Sequence, residues 1–125
     1  MFKKLFLGLM LSVGMSAAMA GTINLGPIGC GNGRVCTNIP TDTGDVVTFS
    51  APYGNWAYLY VNGKAYKSPS MEMLTSFDNY QMQAMDGSIA LVTANYSTFR
   101  TCVRSGRGQT CTTHWNLLGG SVLTQ

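Results

Sequence analysis

Charge is scarce in this chain. Of 125 residues only eight are Lys or Arg and five are Asp or Glu, with a single histidine. So thin a cover of basic groups excludes the electrostatic footprint of a nucleic-acid binder, and nucleic acid is not an expected partner. Catalytic motifs are missing as well. Ser121 lies in Gly-Gly-Ser-Val-Leu, which lacks the Gly-x-Ser-x-Gly elbow, and the five acids Asp42, Asp45, Glu72, Asp78 and Asp86 are scattered, with no pair arranged for glycoside hydrolysis. His114 has no evident partner for acid–base work, so a non-enzyme is expected; a weak His114 hydrolase is the minor alternative. No motif implies a cofactor. Only one long apolar run occurs, residues 5–13, and it is too short to span a bilayer comfortably, so stable membrane insertion is not expected. Internal repeats and low-complexity tracts are absent too.

That apolar run follows Lys3 and Lys4 and is followed by Ala18-Met19-Ala20 before Gly21. Basic start, short apolar middle and small-residue cleavage site together predict a signal peptide over residues 1–20 and a secreted or periplasmic protein, with a leader of bacterial type. The rest, residues 21–125, is large enough for one modest core and not for two, so a single domain is expected. Losing Lys3 and Lys4 with the leader leaves Arg34, Lys64, Lys67, Arg100, Arg104 and Arg107 against the five acids, a formal balance near +1. Solubility then rests on neutral polar groups, as in many exported β-proteins.

Four cysteines fall in the exported part: Cys30, Cys36, Cys102 and Cys111. An even number in a small oxidised domain favours two disulfides. Three pairings are formally open, and geometry favours the local one. A two-residue turn at Gly106-Arg107 sets Ser105 opposite Gly108 and, counting outward, Cys102 opposite Cys111. That non-hydrogen-bonded position brings Cα atoms to about 4.5 Å, inside the range a disulfide tolerates. Each bridge closes a short loop and stabilises at the low end of about 2–4 kcal/mol. A zinc site built from Cys102, Cys111, His114 and an early cysteine matches no closed zinc module, and no metal is expected.

Along the chain, residues 22–28 predict a strand, residues 30–36 a crosslinked loop, and residues 46–51 and 56–61 two more strands. Asn62-Gly63 supplies the two positive-φ positions of a type I′ turn and folds residues 64–68 back on 56–61. Ser68-Pro69 then offers an N-cap and a first-turn proline, while Met73, Leu74, Phe77, Tyr80 and Ala84 recur three or four apart, predicting an amphipathic helix over residues 69–85 that ends at Asp86-Gly87. Met71, Met73, Met82 and Met85 would fill gaps between that helix and the sheet. Residues 88–95 follow as a central strand under the helix and residues 98–118 as the bridged hairpin. Gly119-Gly120 releases a tail that adds an edge strand or frays. The expected fold class is α+β: mostly antiparallel β-sheet or a small barrel, with one α-helix and two local disulfides.

Strand register sorts the candidate binding residues. Trp56, Tyr58 and Tyr60 share a face with Ala65 and Lys67, while Ala57, Leu59, Val61 and Tyr66 share the other, more aliphatic face, the better core candidate. An indole, two phenols and a lysine in a row suit stacking on sugar rings or docking a protein; the competing reading makes the aromatic face the core. In the second hairpin Arg100 and Arg104 lie on the disulfide's face with Trp115 near Thr98, a set that can grip a carboxylated ligand or simply form a solvated edge. His114, with Phe99, Thr101, Val103 and Thr112 on the opposite face, is expected at a core margin.

The run Met73-Leu74-Thr75-Ser76-Phe77-Asp78-Asn79-Tyr80, continuing to Gly87-Ser88-Ile89-Ala90-Leu91-Val92 with a cysteine pair soon after, resembles the B subunits of bacterial AB5 toxins over about a third of the domain. That resemblance implies an exported, bridged, oligomer-forming barrel that recognises cell-surface glycans; the early Cys30-to-Cys36 loop departs from the pattern. The expected function is an exported, non-catalytic module binding a glycan or another exported protein, with self-association left open. The alternative is a periplasmic inhibitor or immunity-type protein acting through a rigid bridged loop, for which the 30–36 loop and the Gly106-Arg107 turn are candidates.

Overall fold

The computed structural model describes residues 21–125; the expected signal peptide over residues 1–20 lies outside the described residues. Nine strands follow one another: β1 (Gly21–Leu25), β2 (Ile28–Gly31), β3 (Val35–Ile39), β4 (Val47–Ser50), β5 (Asn55–Val61), β6 (Lys64–Glu72), β7 (Phe77–Ala84), β8 (Ile89–Ser105) and β9 (Gly108–Thr124). From β3 to β9 each strand pairs antiparallel with the next, and β1 and β2 both pair with β9. The result is a nearly closed up-and-down antiparallel barrel in which β1 and β2 form one stave interrupted at Gly26-Pro27.

The seam between that stave and β3 is held by separate links. A single bridge joins Leu25 to Thr41, Gly26 N–H donates to the Pro40 carbonyl at 2.7 Å, and the Asn24 N–H and side-chain amide both bond the Asp42 carboxylate. Nearer the other end, the Cys30–Cys36 disulfide crosses from β2 to β3. Both expected bridges form, Cys102–Cys111 with Cα atoms 4.1 Å apart.

Inward positions alternate along each strand, as a half-buried sheet requires. Phe49, Leu59, Phe77, Met82, Val92 and Val122 are buried inside, with Phe77 set edge-on to Phe49 at 5.2 Å. An eight-stave barrel is just wide enough for its side chains to fill. The interior is this protein's core, which moves any recognition surface to the outside or the ends.

The expected helix over residues 69–85 is not formed, and the fold class is all-β rather than α+β. Two irregularities explain the misleading spacing. At Ser68-Pro69 the ladder between β5 and β6 slips: Tyr58 faces Lys67 but Trp56 faces Met71. Proline has no N–H for the ladder, and at the slip the Ser68 hydroxyl stands in for a ladder carbonyl, accepting from Ala57 N–H at 2.9 Å while it donates to the Ser70 carbonyl at 2.8 Å. In β7, Phe77 faces Ala94 and Tyr80 faces Val92, so two residues, Asp78 and Asn79, oppose one, Thr93. This is a β-bulge, with Asn79 at φ 48°. The bulge puts Phe77 and Tyr80 three apart on an otherwise alternating strand, which imitates helical periodicity. Residues 69–72, where the helix is expected to begin, continue β6, residues 73–76 make the connection to β7, and Met71, Met73 and Met85 are exposed, leaving Met82 alone of the four in the core. The segment carrying the toxin-subunit resemblance is thus this connection, β7 and the start of β8.

Gly119-Gly120 does not release a tail. β9 continues to Thr124, pairing with β8 on one side and β1 on the other. The glycines sit at a bulge, where Leu117 faces Tyr96 and Gly119 faces Asn95. A Cβ at Gly120 would lie 1.9 Å from the Thr93 carbonyl oxygen, so only glycine permits this close strand approach.

Candidate functional site

Strands β8 and β9 are 17 residues each, far longer than their neighbours. Their halves near residues 90–96 and 117–124 belong to the barrel. Beyond the last β7 partner, Ala94, and the last β2 partner, Trp115, the hairpin has no strand neighbour on either edge among the described residues and projects as an arm exposed along residues 98–111. Its register is the expected one: Cys102 faces Cys111, Arg100 faces Thr113, Arg104 faces Gln109 and Trp115 faces Thr98. His114 is on the arm and not at a core margin; its ring stacks on Phe99 at 4.9 Å, and Nε2 lies 2.8 Å from Thr101 Oγ1.

The aromatic row is on the outer face. Leu59, Ala57, Val61 and Tyr66 point inward and are buried, whereas Trp56 and Tyr58 are half-buried and Tyr60 is 39% exposed. The type I′ turn forms with Asn62 at φ 51° and Gly63 at φ 88°, fixing the register that sets Tyr58 opposite Lys67 and Tyr60 opposite Ala65. The rings of Tyr58 and Tyr60 stack with centroids 6.4 Å apart and planes 17° from parallel. Lys67 Nζ lies 4.1 Å from the Trp56 ring centroid and 5.9 Å from that of Tyr58, near enough for cation–π attraction to both. On its other side Lys67 faces Gln83 of β7. There an open cleft of about 400 Å³ is lined by Lys67, Pro69, Gln81, Gln83 and Met85 among others.

The hydrogen bonds at the end of β6 hold this face in place. Glu72 accepts from the Ser70 hydroxyl and, at 2.7 Å, from the Tyr80 phenol, which holds its carboxyl below the usual range. Burial, reinforced by that carboxylate, pushes the Tyr80 phenol up to about 12.

Arg100, Arg104 and Trp115 are not brought to the aromatic row. The two arginines are exposed on the arm, and β6 and β7 separate β5 from β8. Trp115 sits at the arm's root, edge-on to Tyr96 at 5.8 Å, with a different arginine over its ring. That residue is Arg34, which is not among the candidate binding residues read from the sequence. It is 2% exposed, adopts φ 56° in the tight connection between β2 and β3, and places its guanidinium carbon 4.7 Å from the Trp115 centroid, 5.2 Å from Tyr96 and 5.9 Å from Phe77. Among the described residues, Arg34 Nε and Nη1 and the Tyr96 hydroxyl have no hydrogen-bond partner. Burial lowers the arginine's pKa and raises that of the Tyr96 phenol to about 12. A cation spaced between two disulfide-bonded cysteines in a Gly-rich turn was the available signal.

All four cysteines are disulfide-bonded, and among the described residues no three His, Cys, Asp or Glu side chains converge on a metal position. No helix of the described residues is long and apolar enough to cross a membrane. No protein-family profile, curated protein or solved structure matches this chain.

Proposed function

We propose that this chain is an exported, non-catalytic binding module that engages a glycan on the outer face of β5–β7. The observation that carries the reading is the outward row of Trp56, Tyr58 and Tyr60 beside the Lys67–Gln81–Gln83 cleft. A soluble domain ordinarily keeps large rings inward; here strand register turns three outward while the aliphatic residues between them fill the barrel. Near-parallel phenol faces suit the apolar faces of pyranose rings, and side-chain amides suit their hydroxyls. Two disulfides in an edge-poor barrel are compatible with an oxidising, secreted or periplasmic setting. The test is a glycan array probed with residues 21–125 and with the Trp56→Ala/Tyr58→Ala/Tyr60→Ala variant. Array signal that disappears in a variant of unchanged circular dichroism supports the site; signal that persists in that folded variant removes it.

The arm favours a second reading, in which a rigid bridged loop plugs a partner's active site. Its tip carries Arg107, with Arg104 and Arg100 behind it and Cys102–Cys111 fixing the strands. Inhibition of periplasmic lysozymes or trypsin-like proteases by the wild type, lost in Arg107→Ala, is the outcome that reading requires; no inhibition of either class removes it.

A further inference from the structure

The two lysines of β6 are in different electrostatic circumstances. Lys64 is ion-paired to Asp86 at 3.0 Å and bonded to the Ser88 hydroxyl at 2.7 Å. Lys67, three residues on, forms no salt bridge among the described residues; its ammonium is held by the Trp56 and Tyr58 rings instead. The acids are all otherwise placed. Asp42 and Asp45 lie between β3 and β4, Asp78 is exposed at the start of β7, Asp86 lies between β7 and β8, Glu72 is bonded to Ser70 and Tyr80, and none of the five lines the cleft beside Lys67. The cleft's exposed polar groups are therefore one unpaired ammonium and the neutral amides of Gln81 and Gln83.

An ammonium over aromatic faces has donors left for an anion, and with no carboxylate in the cleft nothing repels one. Neutral amides beside it match hydroxyls, and the stacked Tyr58–Tyr60 pair offers a platform for a ring. We propose that the Lys67 cleft recognises an acidic sugar, a pyranose bearing a carboxylate of the hexuronate type. The carboxylate accepts from Lys67 Nζ, the sugar hydroxyls bond Gln81 and Gln83, and the ring lies against the tyrosines. This rests on the glycan-binding reading above and adds the charge and class of the ligand.

The decisive experiment compares a glucuronic-acid oligosaccharide with a glucose oligosaccharide of the same length, and with a sulfated one, by calorimetric titration at low and high salt. Wild type is expected to prefer the glucuronate by about tenfold, the scale of one charge-assisted hydrogen bond, with the preference shrinking as salt rises. Lys67→Gln should bring the glucuronate down to the level of glucose measured on the same variant, whereas Lys67→Arg should keep the preference. Tyr58→Ala should weaken both sugars alike. Equal affinity of wild type for glucuronate and glucose, a preference that survives in Lys67→Gln, or tighter binding of the sulfated sugar than of the glucuronate overturns the acidic-sugar assignment while leaving glycan binding standing. Binding of none of the three, or of acidic proteins alone, overturns both.

Discussion

The inner and outer halves of the β8–β9 hairpin are built on the same ladder by different means. Within the barrel, Ala90, Val92, Ala94, Leu117 and Val122 are buried, and neighbouring strands flank both edges. In the arm the same alternation continues with nothing to bury it: Phe99 is 49% and Val103 65% exposed, and one disulfide holds the strands together. Register is thus specified by turn chemistry and pairing over the full length, while stability is supplied by burial in one half and by a crosslink in the other. The boundary falls at Arg34, whose guanidinium packs on Trp115 and Tyr96 where the strands leave the barrel.

That contrast breaks most easily from the inside. Phe77→Ala removes a buried ring that meets Phe49, Tyr80 and the Arg34 guanidinium, and should cost about 3–5 kcal/mol in urea unfolding. A loss near 1 kcal/mol would mean that the barrel collapses around the gap. The two disulfides should separate next. Replacing Cys30 and Cys36 by serine unlocks the seam and should lower global stability by about 2 kcal/mol. Replacing Cys102 and Cys111 should cost the barrel less than about 1 kcal/mol, because the arm can open locally while the barrel stays folded, but should abolish amide-exchange protection in residues 99–113. Equal global losses from the two pairs would show that arm and barrel unfold as one unit.

Arg34→Met sharpens the comparison at its boundary. Exchanging a buried cation that has no counter-charge for a flexible apolar chain should raise stability by about 1 kcal/mol. A clear loss in chemical denaturation would show that attraction to the three rings outweighs desolvation. The smallest effect belongs to the far end of the barrel. Hydrogen bonds from Ser88 and the neighbouring Lys64 ammonium hold the Asp86 carboxyl well below its ordinary value of 3.8. A depressed carboxylate adds stability above its unfolded pKa and loses it as the pH falls through the folded one. Asp86→Asn should therefore trim stability slightly at neutral pH and flatten its decline below about pH 4, as read from unfolding midpoints across an acid series.

Much of this fold was legible where local chemistry decides. Asn62-Gly63 dictated its turn, Gly106-Arg107 set Cys102 opposite Cys111, and alternation placed Leu59 inward and Tyr58 outward. The helix was misread because a bulge is a backbone irregularity with no composition of its own. The extra residue at Asn79 shifts an alternating pattern by one position, and Ser68-Pro69 is equally good chemistry for a helix start and for a slipped strand in which the serine hydroxyl takes the Ala57 N–H. Gly119-Gly120 misled for a related reason, since glycine marks both chain release and close backbone approach. Arg34 was legible only as a cation between two bridged cysteines, because what makes it unusual is its surroundings: Phe77, Tyr96 and Trp115 arrive from three strands distant in sequence.

The interrupted first stave has a kinetic consequence. Every pairing from β3 to β9 joins sequence neighbours and closes through a short connection, whereas Gly21 must find Thr124 across nearly the whole described chain. Chain-closure entropy ranks that encounter last, so the meander is expected to assemble first and β1–β2 to dock onto a preformed sheet. Pulse-labelling during refolding should show amides of residues 55–94 protected before those of residues 21–25, and the reverse order would refute it.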